Sequence, residues 1–250
     1  MRKTSAPVIG FVVDRGLSPI DGHPYVAILT LRSSNRKTGR MAQVYIVRAD
    51  VNPLDAIDSG EDRTICGDCP HRRRWDPTLQ RFVRSCYVQV GKSVMSVWRA
   101  FSRGRYPDWR PEYSRYLRGR RIRWGAYGDP AILRESVVRD LTSVADGHTG
   151  YTHQWQHPWA EWSRGFFQAS CDSFADYLAA SAAGWRTFAV IPEGGIPFSG
   201  KLCPATAPDS QAQCLTCRLC DGAKTDIFVE AHGAGASHVK AQPVPDLVLS

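Results

Sequence analysis

The chain has 250 residues, 43% of them hydrophobic and 22% charged, with a formal charge of +8 at pH 7. That length buries a full hydrophobic core without cross-links, and the composition excludes extensive disorder. No apolar run approaches the ~20 residues that span a bilayer, and the N-terminal apolar run is too short for a signal peptide, so a cytoplasmic protein with no membrane partner is expected.

Residues 1–64 read as a β meander. "VIGFVVD", "YVAILTLRS" and "AQVYIVRAD" are rich in β-branched and aromatic residues, and "SSNRKTGR" supplies a polar turn between the second and third. "ICGDCPHRRRW" (65–75) comes next, then an expected strand, "RFVRSCYVQV" (81–90), that carries Cys86, and a helix over "SVMSVWRAFSRG" (93–104), whose apolar residues fall at helical spacing.

From Arg103 to Trp124 arginine alternates with tyrosine and tryptophan, and "HRRRW" and "RFVRS" add to the positive charge. Two readings stand side by side: a solvated basic surface, or a face whose arginines meet phosphates while its rings stack on bases.

The pattern then becomes regular. "RRIRWGAYGDP" is a strand and turn, "AILRESVVRDLTSVA" an amphipathic helix, "TGYTHQW" a short strand, "PWAEWSRG" a short helix opened by Pro158, and "GFFQASCDS" a strand. "FADYLAASAAGW" is a helix closed near Gly184, "RTFAVIPEGG" and "KLCPA" are strands, "CLTCRLC" is a helical turn or two, and "TDIFVEAHG" is a last strand. This alternation predicts an α/β fold with parallel strands and helical crossovers, read as a partial (β/α) barrel over residues 65–240, with an exposed tail over 241–250.

Polar residues at the strand ends are expected to ring one mouth: Tyr127, Asp129, His153, Gln154, Cys171, Asp172, Glu193, Cys203, Glu230 and His232. Among them His153 and Glu193 are the candidate acid and base groups. His153 and His157 stand four apart, a spacing for a shared metal only on a helix, which Pro158 opposes. Cys171, alone at a strand end, reads as a small buried hydrophobe.

Eight cysteines in local clusters, in a reducing compartment, point to metal rather than disulfides. Cys203, Cys214, Cys217 and Cys220 form C-x10-C-x2-C-x2-C, with Pro204 after the first. Four thiolates suit tetrahedral Zn2+, while three at successive intervals of three resemble the run that holds a [4Fe–4S] cluster in bacterial ferredoxins. Cys66, Cys69 and Cys86 form C-x2-C-x16-C and leave one ligand position unfilled. His71 would close it as a structural zinc site; left open, it would keep one iron of a cluster free for substrate or cofactor.

"ICGDCPHR", "SCYV", "RWGAYGDPA", "GYTHQW", "CPA" and the closing C-x2-C-x2-C resemble an uncharacterised family of phage and prophage proteins, which implies a viral protein acting in a bacterial cytoplasm. The layout is more distantly similar to radical S-adenosylmethionine enzymes, partial barrels with a three-cysteine cluster and a Gly-rich acidic turn after the second strand. That resemblance implies an open-iron cluster on Cys66, Cys69 and Cys86, S-adenosylmethionine against Tyr127, Gly128, Asp129 and Pro130, and an auxiliary cluster on the C-terminal cysteines. The chain departs from that family in its cysteine spacing, in placing two thiols before the strand, and in having Asp129 where the family has Glu.

Two functions are expected. One is a radical-type iron–sulfur enzyme that modifies a nucleotide, nucleic acid or protein. The other is a zinc-stabilised nucleic-acid-binding protein without catalysis, using the Arg103–Trp124 segment. A phage protein that grips a host factor, with metals only as staples, is a third.

Overall fold

The computed structural model describes residues 7–192, 195, 200–207, 209–231 and 236–239. The expected meander forms: β1 (Gly10–Leu17), β2 (Pro24–Thr30) and β3 (Ala42–Arg48) pair antiparallel in sequence order. A register shift between Val12 and Asp14 is a bulge that lets Val12, Val13 and Asp14 all lie buried in succession. The inward carboxylate of Asp14 accepts from the Tyr25 hydroxyl (2.8 Å) and from Arg134 Nε (2.7 Å).

The meander continues into a larger sheet. β3 pairs in parallel with β6 (Ile122–Tyr127), and β6 with β7 (His148–Thr149), giving one sheet in the order β1-β2-β3-β6-β7. Its core runs from Phe11 to Phe167. A second sheet, wholly parallel, has the order β11-β12-β10-β9-β8, with β8 (Tyr151–Thr152), β9 (Gln168–Cys171), β10 (Thr187–Ile191), β11 (Lys201–Leu202) and β12 (Ile227–Glu230). β12 thus inserts between β10 and β11.

Gly150 alone separates β7 from β8, and the chain passes there from one sheet to the other. A side chain at this position would collide with the Phe167 ring. The architecture is mixed α/β, with parallel and antiparallel sheets and no closed barrel among the described residues.

The helices obey local signals. α1 (Pro53–Ser59) is capped by Asn52, whose side chain accepts from Leu54 N and Asp55 N, and it ends at Gly60 in the left-handed region. α2 (Arg63–Cys66) is a single turn, and α3 (Met95–Ser102) occupies the expected helical run. α4 (Glu135–Val144) buries Val138 and Leu141, α5 (Phe174–Ala182) starts on the Ser173 cap, and α6 (Cys214–Cys217) is one turn. No helix is long and apolar enough to cross a membrane among the described residues.

One expectation is corrected. The strand over 81–90 is a short hairpin, β4 (Arg74–Asp76) with β5 (Arg81–Val83), and Cys86 lies in irregular backbone beyond it. Arg84 causes the change: its Nη1 donates to the carbonyls of Cys86 (3.2 Å) and Val88 (2.9 Å), curling the chain around the guanidinium. The rings of the basic aromatic segment are partly engaged by the core. Trp109, Tyr113 and Tyr116 pack around Phe11 with centroids 5.2, 4.7 and 5.5 Å away, and Trp124 is fully buried. Arg103, Arg105, Arg110, Arg115 and Arg118 stay exposed.

Candidate metal-binding cavity

Strand alternation builds the site. Along β6, Ile122, Trp124 and Ala126 face the core, while Arg123, Gly125 and Tyr127 line a cavity of about 250 Å³. Tyr151 and His153 on β8 and just beyond it, Ser170 and Asp172 at the end of β9, Phe188 and Val190 on β10, and Val229 on β12 complete the strand side of its wall. Cys66, Cys69 and Cys86 border the same space, as do Cys203 and Cys214.

The first thiol group is assembled by hydrogen bonds across the loop. α2 ends at Cys66, Gly67 turns the chain at φ +57°, and Cys69 N donates to Cys66 O (3.3 Å). Arg72 braces the turn, reaching Asp62 through Nε (2.9 Å) and Nη2 (2.6 Å) and Gly67 O through Nη1 (3.2 Å). Cys86 N donates to His71 O (3.0 Å), which returns the third cysteine to the other two. Burial pushes the Cys66 thiol well up, and the neighbouring Cys69 and Cys86 add to it. Cys86 is likewise raised, by burial first.

The second group gathers the four remaining clustered cysteines. Cys203 N donates to Phe228 O (2.7 Å) at the end of β11, and Cys214 N donates to Lys37 O (2.9 Å), which anchors α6 on the β2–β3 loop. Arg218, at φ +60°, turns the chain so that Cys220 comes back to the other thiols. Burial raises Cys220 to about 12, and Cys203, Cys214 and Cys217 act on it in the same direction. The clustered cysteines thus form two sets whose members act on one another electrostatically, while Cys171 packs among Trp155, Ala180 and Trp185 away from both.

The turn after β6, the stretch expected to approach a cofactor, is held rigidly in place. Gly128 sits at φ +78°, where a Cβ would come 2.7 Å from that of Ile46, so only glycine fits against β3. Asp129 is buried, and both its oxygens are engaged: Oδ1 accepts from Ala131 N (3.0 Å) and Oδ2 from His153 N (2.7 Å). Its own N donates to Ile65 O (2.6 Å). Asp129 therefore clamps β6, β8 and the cysteine loop together. Tyr127 and Gly128 line the cavity; Pro130 is buried beside them and does not.

Of the other expected residues, Gln154 is buried beneath the Cys66 loop, and His157 lies apart from His153, stacked on Trp159. Glu193 and His232 lie outside the described residues. His71 does not join the thiols as a close fourth ligand. Its Nδ1 is 2.8 Å from Ser85 Oγ and its Nε2 is 2.9 Å from Asp172 Oδ1. His153 Nε2 is 3.2 Å from the other oxygen of Asp172. Burial works against the His153 imidazolium, yet the adjacent Cys69 and Asp172 hold it well above the ordinary histidine value.

Arg84, Arg123 and Asp172 carry more of the site than their sequence context suggested. An arginine at the inward phase of the apolar strand "IRWGAY" was the available signal for Arg123, which donates to the Tyr87 hydroxyl at 2.7 Å. The chain matches no protein-family model, no curated protein and no solved structure.

Proposed function

We propose that the protein is an iron–sulfur enzyme of radical type, with an open cluster held by Cys66, Cys69 and Cys86 and a closed one held by Cys203, Cys214, Cys217 and Cys220. The observation that carries it is that Cys66, Cys69 and Cys86 border one cavity together with Cys203 and Cys214 of the second group. Zinc staples have no need of a shared enclosed space, whereas a substrate between two electron-carrying centres does.

Thiolates around one Zn2+ lie about 3.8 Å apart, given Zn–S bonds of about 2.3 Å. Among the described residues no three cysteine sulfurs come within 4.8 Å of one another. The thiols of neither set are therefore drawn in around a single zinc ion. The Tyr127 hydroxyl and Arg84 Nε are also buried without hydrogen-bond partners, and both residues act electrostatically on Cys66 or Cys86. Orphaned donors of this kind fit a sulfide-bearing group seated beside them.

When bound, such a cluster supplies the single electron that starts radical chemistry on S-adenosylmethionine. The chain's own residues would do the rest. Tyr127 and Gly128 offer the wall for the cofactor, Asp129 fixes that wall to the cysteine loop, and the apolar faces of Phe188, Val190 and Val229 limit water. Arg123, beside Tyr87 and Tyr151, favours a substrate with an anionic part, which suits a nucleotide. In this reading β3, β6, β7 with β8, β9, β10 and β12 form an open partial (β/α) barrel around the cavity.

Anaerobic purification with iron and sulfide analysis and an absorption spectrum tests the proposal. Brown protein with iron and acid-labile sulfide supports it; colourless protein with stoichiometric zinc overturns it. A second reading rests on the exposed arginines between Arg103 and Arg118, which suit phosphate contacts without base stacking. Oligonucleotide affinity that collapses as salt rises would support that one, and no affinity at low salt would end it.

A further inference from the structure

We propose that His71, His153 and Asp172 bind one divalent transition-metal cation, at a site beside the first thiol group and with no cysteine among its three ligands. The ligand atoms of these three side chains all lie within 4.8 Å of one another, and among the described residues no other group of three histidine, cysteine or acidic side chains does so. Asp172 offers one oxygen to each imidazole, at 2.9 Å from His71 Nε2 and 3.2 Å from His153 Nε2.

The two nitrogens are the telling atoms. Both are shielded from solvent and converge on the two oxygens of the Asp172 carboxylate. Two buried imidazole nitrogens meeting one carboxylate is the arrangement a shared cation would bridge. His71 also has the outer support seen in metal-binding histidines: its second nitrogen lies 2.8 Å from Ser85 Oγ, which orients the ring.

The scaffold holds the three donors from different directions. His153 lies just past β8 and is pinned through its backbone N to Asp129 Oδ2 (2.7 Å), and Asp172 lies just past β9. His71 leaves the braced cysteine loop. All three line the cavity, so the remaining coordination positions open onto it. Two imidazoles and one carboxylate with open positions suit Fe2+, Mn2+, Co2+ or Zn2+, whereas Ca2+ and Mg2+ favour all-oxygen sets.

Mn2+ is the probe of choice, because it favours oxygen and nitrogen over thiolate. The full-length chain is titrated with Mn2+, and free ion is monitored by electron paramagnetic resonance. One ion per chain is expected, with imidazole nitrogen couplings in the pulsed spectrum. Asp172→Asn and His71→Ala should each weaken binding by more than about tenfold. Binding without nitrogen couplings, no binding, or affinity unchanged in both variants overturns the site. The pulsed spectrum is read on the unsubstituted chain, so a variant that fails to fold does not blunt the test. Iron and sulfide content report on the thiol groups independently, so either proposal can fail without the other.

Discussion

The side-chain amide of Gln154 donates to the backbone carbonyl of Cys66 at 3.2 Å, joining residues 88 positions apart. It lies against Gly67, where a Cβ would run into the Gln154 amide. The end of β8 is thereby a rigid floor for the cysteine loop. Gln154→Ala should lower global stability by only about 1 kcal/mol, the net worth of one such bond. It should nonetheless speed iron loss from reconstituted protein, measured by chelator challenge.

The two thiol groups sit on different elements and should fail separately. Cys86→Ser is expected to remove about half of the bound iron and to leave the remainder in an unchanged closed cluster; Cys217→Ser should remove the other half. Iron and sulfide per chain, with the reduced-state paramagnetic spectrum of each variant, check this. Loss of all iron from either change would mean one centre, not two.

Asp14 is buried at the β1 bulge, where it accepts from Tyr25 Oη, Arg15 N, Arg134 N and Arg134 Nε. Asp14→Ala leaves several of these donors without an acceptor. A loss of about 3 kcal/mol is expected in urea unfolding, since each stranded donor costs about 1–3 kcal/mol and Arg134 is partly solvated. Arg134→Ala should cost less, because its guanidinium end is 63% exposed.

Asp21 sits below the usual carboxylate value. Burial pushes it up, but the His23 amide and the Thr64 hydroxyl that donate to it outweigh this. A carboxylate depressed on folding adds stability that is complete above its unfolded pKa, about 3.9, and is lost as pH falls through the lower folded value. Asp21→Asn should therefore flatten the fall in melting temperature between about pH 5 and pH 2. An acid limb identical to that of the unsubstituted chain would remove Asp21 from this role.

Trp109 and Arg110 are neighbours with opposite duties. Trp109→Ala strips an edge-on ring from Phe11 and should cost about 3 kcal/mol of stability. Arg110→Ala, on the exposed side, should leave stability within about 0.5 kcal/mol and, if oligonucleotides bind at all, reduce the salt slope. Chemical denaturation and binding at two salt concentrations separate the pair.

Much of the element order was legible because hydrophobic period and punctuation agreed. Pro158 opens a short 3-10 helix, Ser173 caps α5, and Gly184 comes just after its end. The strand over residues 81–90 misled, since its β-branched and aromatic content takes no account of one guanidinium gathering two carbonyls. The arginine and aromatic alternation between Arg103 and Trp124 was ambiguous: a ring and a charge in alternation look the same whether the ring meets a base or Phe11.

Cysteine spacing by itself sorted seven of the thiols into two local sets, because a C-x2-C unit keeps its cysteines within a turn or two of backbone. Only the tertiary structure decided that Cys86 returns to the backbone of His71, that Cys66, Cys69 and Cys86 share one cavity with Cys203 and Cys214, and that His71 turns to Asp172. Those are contacts between residues far apart in the chain. They are set by parallel strand pairing and by buried hydrogen bonds such as Asp129 to His153, which leave no trace in local pattern.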